Sequence, residues 1–206
     1  MSVKIKPMTK RELADCFQVY RQAFPEWTVE HDVVLSRSNG PIKQYIAFEA
    51  LRAGSYRPSC SVEVAGTPER IQLLFQFLDI KHRDVLPREH PTKWPKVLKA
   101  MEKQFRPSLR KPLEVDDVIR LAEEEVERDG IDNVNYFTGL AVLHAHAENV
   151  QRALFWCDLI EHQVTVKGGN ATEWEMRLAE FTCGLREALR SGKERAFLRT
   201  ITSQHG

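Results

Sequence analysis

Beyond residue 112 the chain's apolar residues recur throughout at three- and four-residue spacing. That pattern restricts the second half to helices packed on helices. Val115, Val118, Ile119, Ala122 and Val126 share one face of a helix expected over 113–129, with acids in its first turn and Asp129-Gly130 as its stop. Further helices are expected at about 134–147, 149–163 and 172–190, the last two separated by Gly168-Gly169. Thr172 and Glu175 form a capping box, and Trp174, Leu178, Phe181 and Leu185 line the helix they open.

The first half mixes two periods. Thr9 and Glu12 form another capping box, ahead of Leu13, Cys16, Phe17, Tyr20 and Phe24 at helical spacing, and Pro25 ends that helix. Strands are expected at 33–36, 42–51 and 61–65, with Asn39-Gly40-Pro41 as a turn between the first two. In the middle strand Ile42, Ile46 and Phe48 alternate with Lys43, Tyr45 and Glu49, as a sheet with two unlike faces requires. Thr67-Pro68 reads as the start of a helix carrying Ile71, Leu74, Phe75 and Leu78. A further helix, capped by Thr92, buries Trp94, Val97, Leu98, Met101 and Phe105 and turns Lys96, Lys99, Lys103 and Arg106 to solvent.

These elements predict an α+β fold: a small antiparallel sheet with helices in residues 1–107, and a helical hairpin bundle in 113–206, joined by a Pro-bounded linker. At 206 residues the chain can bury a substantial core without disulfides. Cys16, Cys60, Cys157 and Cys183 form no CxxC pair and are expected as free thiols. No signal sequence is read in residues 1–10, and no run approaches the roughly 20 apolar residues of a membrane span, so a cytoplasmic protein is expected.

The net charge of +1 conceals a reversal at the middle of the chain. Residues 81–111 carry ten Lys and Arg against three acids, a net +7, and residues 112–135 carry nine acids against Arg120 and Arg128, a net −7. Either the segments pair with each other or each faces a partner.

Chemistry-bearing patterns are sparse. His82 and His90 flank a polar stretch with Asp79, Asp84 and Glu89, but their spacing matches no metal-ligand pattern. His144 and His146 point about 200° apart on a helix and cannot chelate one ion. Glu123-Glu124-Glu125 and Glu127 read as a solvated face, and Cys60 in Ser59-Cys60-Ser61 points with Val62 and Val64 toward a core. No phosphate-binding glycine loop and no nucleophile elbow occurs. No catalytic residue, metal or cofactor is therefore assigned. Tyr56 and Arg57, in the loop 54–58, are candidate contacts because Arg offers a planar fork of donors and both residue types anchor interfaces.

The segment FTGLAVLHAHAENVQRALFWCDLI at 137–160 resembles a tetratricopeptide helical hairpin. On that pattern Phe137, Leu140, Ala141 and His144 lie in the first helix, Ala153, Cys157 and Ile160 in the second, and Glu148-Asn149 in the turn. The match covers one repeat, whereas a solenoid needs about three, so the resemblance implies one helix pair within a bundle. The opening Ile5-Lys6-Pro7-Met8 with helix 10–24 looks like that of a GCN5-related acetyltransferase. Residues 37–42 (Arg-Ser-Asn-Gly-Pro-Ile) come nearest to that family's acyl-CoA pyrophosphate loop, but Pro41 removes an amide donor and a strand follows. The helix–meander–helix order is also similar to small bacterial α+β families, some linked to toxin immunity.

The function expected from these readings is a non-enzymatic protein-interaction module of adaptor or toxin-neutralising type. Its partner-binding residues are Tyr56, Arg57, Lys96, Lys99, Lys103 and Arg106. A small-molecule acyltransferase and weak nucleic-acid binding through the basic helix are the alternatives.

Overall fold

The computed structural model describes residues 6–79 and 84–204. The order is α1 (Lys10–Ala23), β1 (Thr28–Glu30), β2 (Val34–Asn39), β3 (Ile42–Ala50), β4 (Tyr56–Val64), β5 (Ile71–Phe77), α2 (His90–Gln104), α3 (Val115–Asp129), α4 (Val134–His146), α5 (Val150–Lys167), α6 (Glu173–Arg190) and α7 (Glu194–Gln204). The fold is α+β: the five strands form an antiparallel sheet in sequential order, and seven α-helices accompany it among the described residues. The sequential order follows from short connections, which only antiparallel neighbours allow. None of the described helices is long and apolar enough to cross a membrane.

Two compact units divide the chain. One comprises Met1–Ser38, Gln44–Ser61 and Leu74–Leu113; the other comprises Asn39–Lys43, Val62–Leu73 and Glu114–Gly206.

In the first unit, α1 begins with the capping box expected of it, Thr9 and Glu12 bonding each other's backbone amides. Such a cap contributes about 1 kcal/mol. Its buried face, Leu13, Cys16, Phe17 and Tyr20, joins Phe24, Trp27, Ile46, Phe48, Tyr56 and Cys60, and α2 adds Val97 and Met101 to the same core. The turn at Asn39-Gly40, which belongs to the second unit, is present, with Gly40 at φ 55°, a conformation open to glycine.

The second unit holds α3–α7. Asn133 caps α4, Asn149 caps α5, and Thr172 with Glu175 forms the capping box of α6. Gly130 ends α3 in the left-handed conformation at φ 62°. Ala141 and Ala153 are fully buried in the α4–α5 pair. Gly139 lets α4 approach Ile71 and Leu73 of β5: a Cβ there would lie 3.0 Å from a methyl of each. Gly139→Leu is therefore expected to lower stability by about 2–3 kcal/mol through overpacking, read as a lower urea midpoint.

The segment 67–78 is not a helix: residues 71–77 form β5. Leu74 stands at φ 52°, so Leu73 and Leu74 both point inward, each at most 2% exposed. This bulge inserts one residue into the alternation. The apolar residues Ile71, Leu74, Phe75 and Leu78 nevertheless stand at helical spacing in the sequence. Strand β4 also starts earlier than the 61–65 expected, at Tyr56, and β1 was absent from the sequence reading.

Candidate interaction surface

Helix α2 has Pro91 in its first turn, where a missing amide is no loss, and follows Glu89 without a side-chain cap. Thr92 lies inside that turn and donates to the Glu89 carbonyl instead of capping. Lys96, Lys99 and Lys103 occupy about 60° of the helix circumference at 100° per residue. All three are exposed. Arg106 is exposed too, but lies beyond the C-cap Phe105 and not on the helix. The acids nearest in sequence are taken: Glu89 pairs with Lys93 at 2.8 Å and Glu102 with Arg110 at 2.6 Å. Among the described residues, none of the four cations has an ion-pair partner.

Five acids of α3, Asp117, Glu123, Glu124, Glu125 and Asp129, find partners inside their own unit. Arg120 bonds Asp117 and Glu124, and Arg128 bonds Asp129. Glu123 accepts from Arg152 Nε at 2.7 Å and from His144 Nε2 at 3.0 Å. Burial pushes the Glu123 carboxyl up, but these two bonds outweigh it and hold it below the ordinary glutamate range. Burial also lowers His144, so the ring is neutral, donates through Nε2 and leaves Nδ1 buried without a partner. An open depression of about 450 Å³ lies beside this group, lined also by Asp116, Glu124 and Glu127. The half-buried Glu123 carboxylate at its edge is held by these two donors.

Tyr56 does not lie on a loop surface. It is the first residue of β4, is 0% exposed, and its hydroxyl sits 2.8 Å from Tyr20 Oη and 2.9 Å from His90 Nδ1. The hydroxyl chain is satisfied in either direction, from Tyr20 through Tyr56 to His90 or the reverse. Phe48 and Trp94 pack around Tyr20. Burial pushes both phenols up and lowers His90, so all three are neutral at pH 7. The side chain went inward because strand alternation places Tyr56 with Pro58 and Cys60, and Arg57 on the other face.

Arg57 reaches that other face, bonds Glu49 at 2.5 Å, and lies 3.7 Å over the ring of Phe77. Its Nε is buried without an acceptor. Phe77 meets Phe75 edge to face, with centroids 4.8 Å apart. The two rings are 38% and 49% exposed, and sequence reasoning missed them because it placed them on a helix.

The other candidates are structural. Cys60 is buried and accepts from Gln44 Nε2 at 3.5 Å; burial pushes its thiol up to about 12, far from a reactive thiolate. Cys16 and Cys157 are raised by burial to about 11 and about 12, and Cys183 is exposed. Residues 37–42 form the end of β2, a turn and the start of β3. Arg37 donates to the carbonyls of Ser108 and Lys111. His82 lies outside the described residues, and His90 is part of the buried chain above. Among the described residues, no group of three or more His, Cys, Asp or Glu is placed to hold a metal ion. No protein-family model, no curated protein and no solved structure matches this chain.

Proposed function

We propose that this protein is a non-enzymatic interaction module that holds an acidic protein partner against the cationic face of α2, in an adaptor or toxin-neutralising role. The observation that carries this reading is the exposed set Lys96, Lys99, Lys103 and Arg106, which among the described residues has no ion-pair partner. Like charges three and four residues apart on a helix cost about 0.2–0.5 kcal/mol per pair. A folded chain has no internal use for that arrangement, whereas a partner of opposite charge gains both steering and specificity from it. The four free cysteines suit a reducing cytoplasm. The α4–α5 pair, which resembles a tetratricopeptide hairpin, belongs in this reading to the scaffold.

The triple variant K96E/K99E/K103E tests the reading. The three side chains are exposed, so the variant is expected to keep wild-type circular dichroism. It is expected to lose a partner captured by the tagged wild type, and that partner is expected to leave the wild type at high salt. Capture that survives the charge reversal places the contact elsewhere. Capture abolished by nuclease makes the basic helix a nucleic-acid site instead.

A further inference from the structure

The outer face of the sheet at β3, β4 and β5 carries an arrangement that nothing in the fold of its own unit requires. Leu74 stands at φ 52°, a left-handed conformation that a leucine adopts only under constraint. The consequence of that bulge is local and specific. It moves Phe75 and Phe77 off the face that buries Ile71 and Leu73 and exposes both rings to solvent. A regular strand would have kept residues 71, 73, 75 and 77 on one face. The two rings lie on the edge strand of the sheet, where an exposed apolar pair is a liability unless something covers it.

The charges around the rings indicate what does. Arg57 lies over Phe77, and Glu49 lies beside Arg57. The patch thus has an aromatic centre flanked by one cation and one anion. Glu49 keeps 52% of its side chain exposed, so it has acceptor capacity left. A strongly acidic or strongly basic partner finds no matching charge here. A surface that presents one charge of each sign around an apolar centre is complementary to itself under a twofold rotation, in which each Arg57 faces the other copy's Glu49. Aromatic residues and arginine are also the types enriched in such contacts.

We propose that Glu49, Arg57, Phe75 and Phe77 form the contact of a twofold homodimer of this chain. The aromatic pairs of the two copies pack on each other, and Arg57 and Glu49 pair across the axis as well as within each copy. None of the four residues is one of the cations Lys96, Lys99, Lys103 and Arg106, so separate variants test the two assignments.

Light scattering and sedimentation velocity on the purified full chain across the micromolar range test the proposal. The wild type is expected at twice the 23.8 kDa chain mass. F75S/F77S is expected to weaken self-association at least about 30-fold, since hot-spot aromatics carry most of an interface's affinity. R57E and E49R are each expected to be monomeric, because each sets like charges against one another. The double exchange E49R/R57E restores opposite charges and is expected to restore the dimer. Near-ultraviolet circular dichroism checks that every variant is folded. A monomeric wild type overturns the proposal. So does a dimer indifferent to F75S/F77S, or one that the double exchange fails to restore.

Discussion

Replacing Tyr56 with alanine is expected to destabilise the protein by about 4–5 kcal/mol, enough to unfold a marginally stable domain. Two losses combine. The ring is 0% exposed and packs against Phe48, Tyr20 and His90, so its removal leaves an aromatic-sized cavity. Its hydroxyl is the middle of the chain from Tyr20 to His90, so both neighbours lose their partner. Tyr56→Phe separates the two losses: it keeps the ring and is expected to cost about 2 kcal/mol for the two unpaired groups. Adding Tyr20→Phe to that variant is expected to cost less than Tyr20→Phe does alone, because the orphaned phenol is then gone. Urea midpoints at neutral pH check each step.

The same chain sets a pH dependence. Burial lowers His90 in the folded state, so it stays neutral there while the unfolded chain begins to bind a proton near pH 6.5. The unfolded state binds more protons in that window. Stability contributed by the neutral ring is thus present above about pH 6.5 and is lost as pH falls toward the depressed value. His144, also lowered by burial, acts in the same direction.

Arg37→Ala is expected to cost about 2–3 kcal/mol, a large effect for a half-buried residue, because three acceptors depend on one guanidinium. Nε bonds Gln44 Oε1 at 2.9 Å, one η nitrogen bonds the Lys111 carbonyl at 2.6 Å, and the other bonds the Ser108 carbonyl. Gln44, fully buried, in turn donates to the Pro107 carbonyl at 2.8 Å. The two side chains hold residues 107–111 against the rest of the first unit, with help from Arg110, which donates to the Ala23 carbonyl at 2.5 Å. Arg37 also lies 4.7 Å over Trp27, a contact worth about 0.5–1 kcal/mol that alanine loses. Arg37→Lys is expected to recover little, since one ammonium cannot span three fixed acceptors. The check is a lower urea midpoint, together with faster tryptic cleavage after Arg110 as the segment comes free; Arg106 and Lys111 each precede a proline and resist that cut.

Much of the architecture was legible because its signals are local. Thr9 with Glu12 and Thr172 with Glu175 announce helix starts through bonds made within four residues, and both boxes are present. Asn39-Gly40 announces a turn through one left-handed glycine. Lys96, Lys99 and Lys103 fall on one face through helical period alone. The misses share a different cause. β5 looked like a helix because Ile71, Leu74, Phe75 and Leu78 stand at helical spacing, and the left-handed Leu74 that resets the alternation leaves no mark in the segment itself. The β-branched and aromatic residues Ile71, Phe75 and Phe77 were the one available hint. Tyr56 and Arg57 looked like a surface pair until the strand started five residues early and alternation sent them to opposite faces. The Arg37 bonds were invisible because their acceptors are backbone carbonyls more than 70 residues away.

The proposed function requires that α2 present its cations to an acidic protein. Affinity capture of the tagged protein from its own organism's lysate, treated with nuclease and eluted with rising salt, reads that contact. The result expected is a stoichiometric protein that resists nuclease, leaves at high salt and is absent when K96E/K99E/K103E is the bait. A bait that emerges alone, or a partner held equally well by the charge-reversed variant, would contradict it.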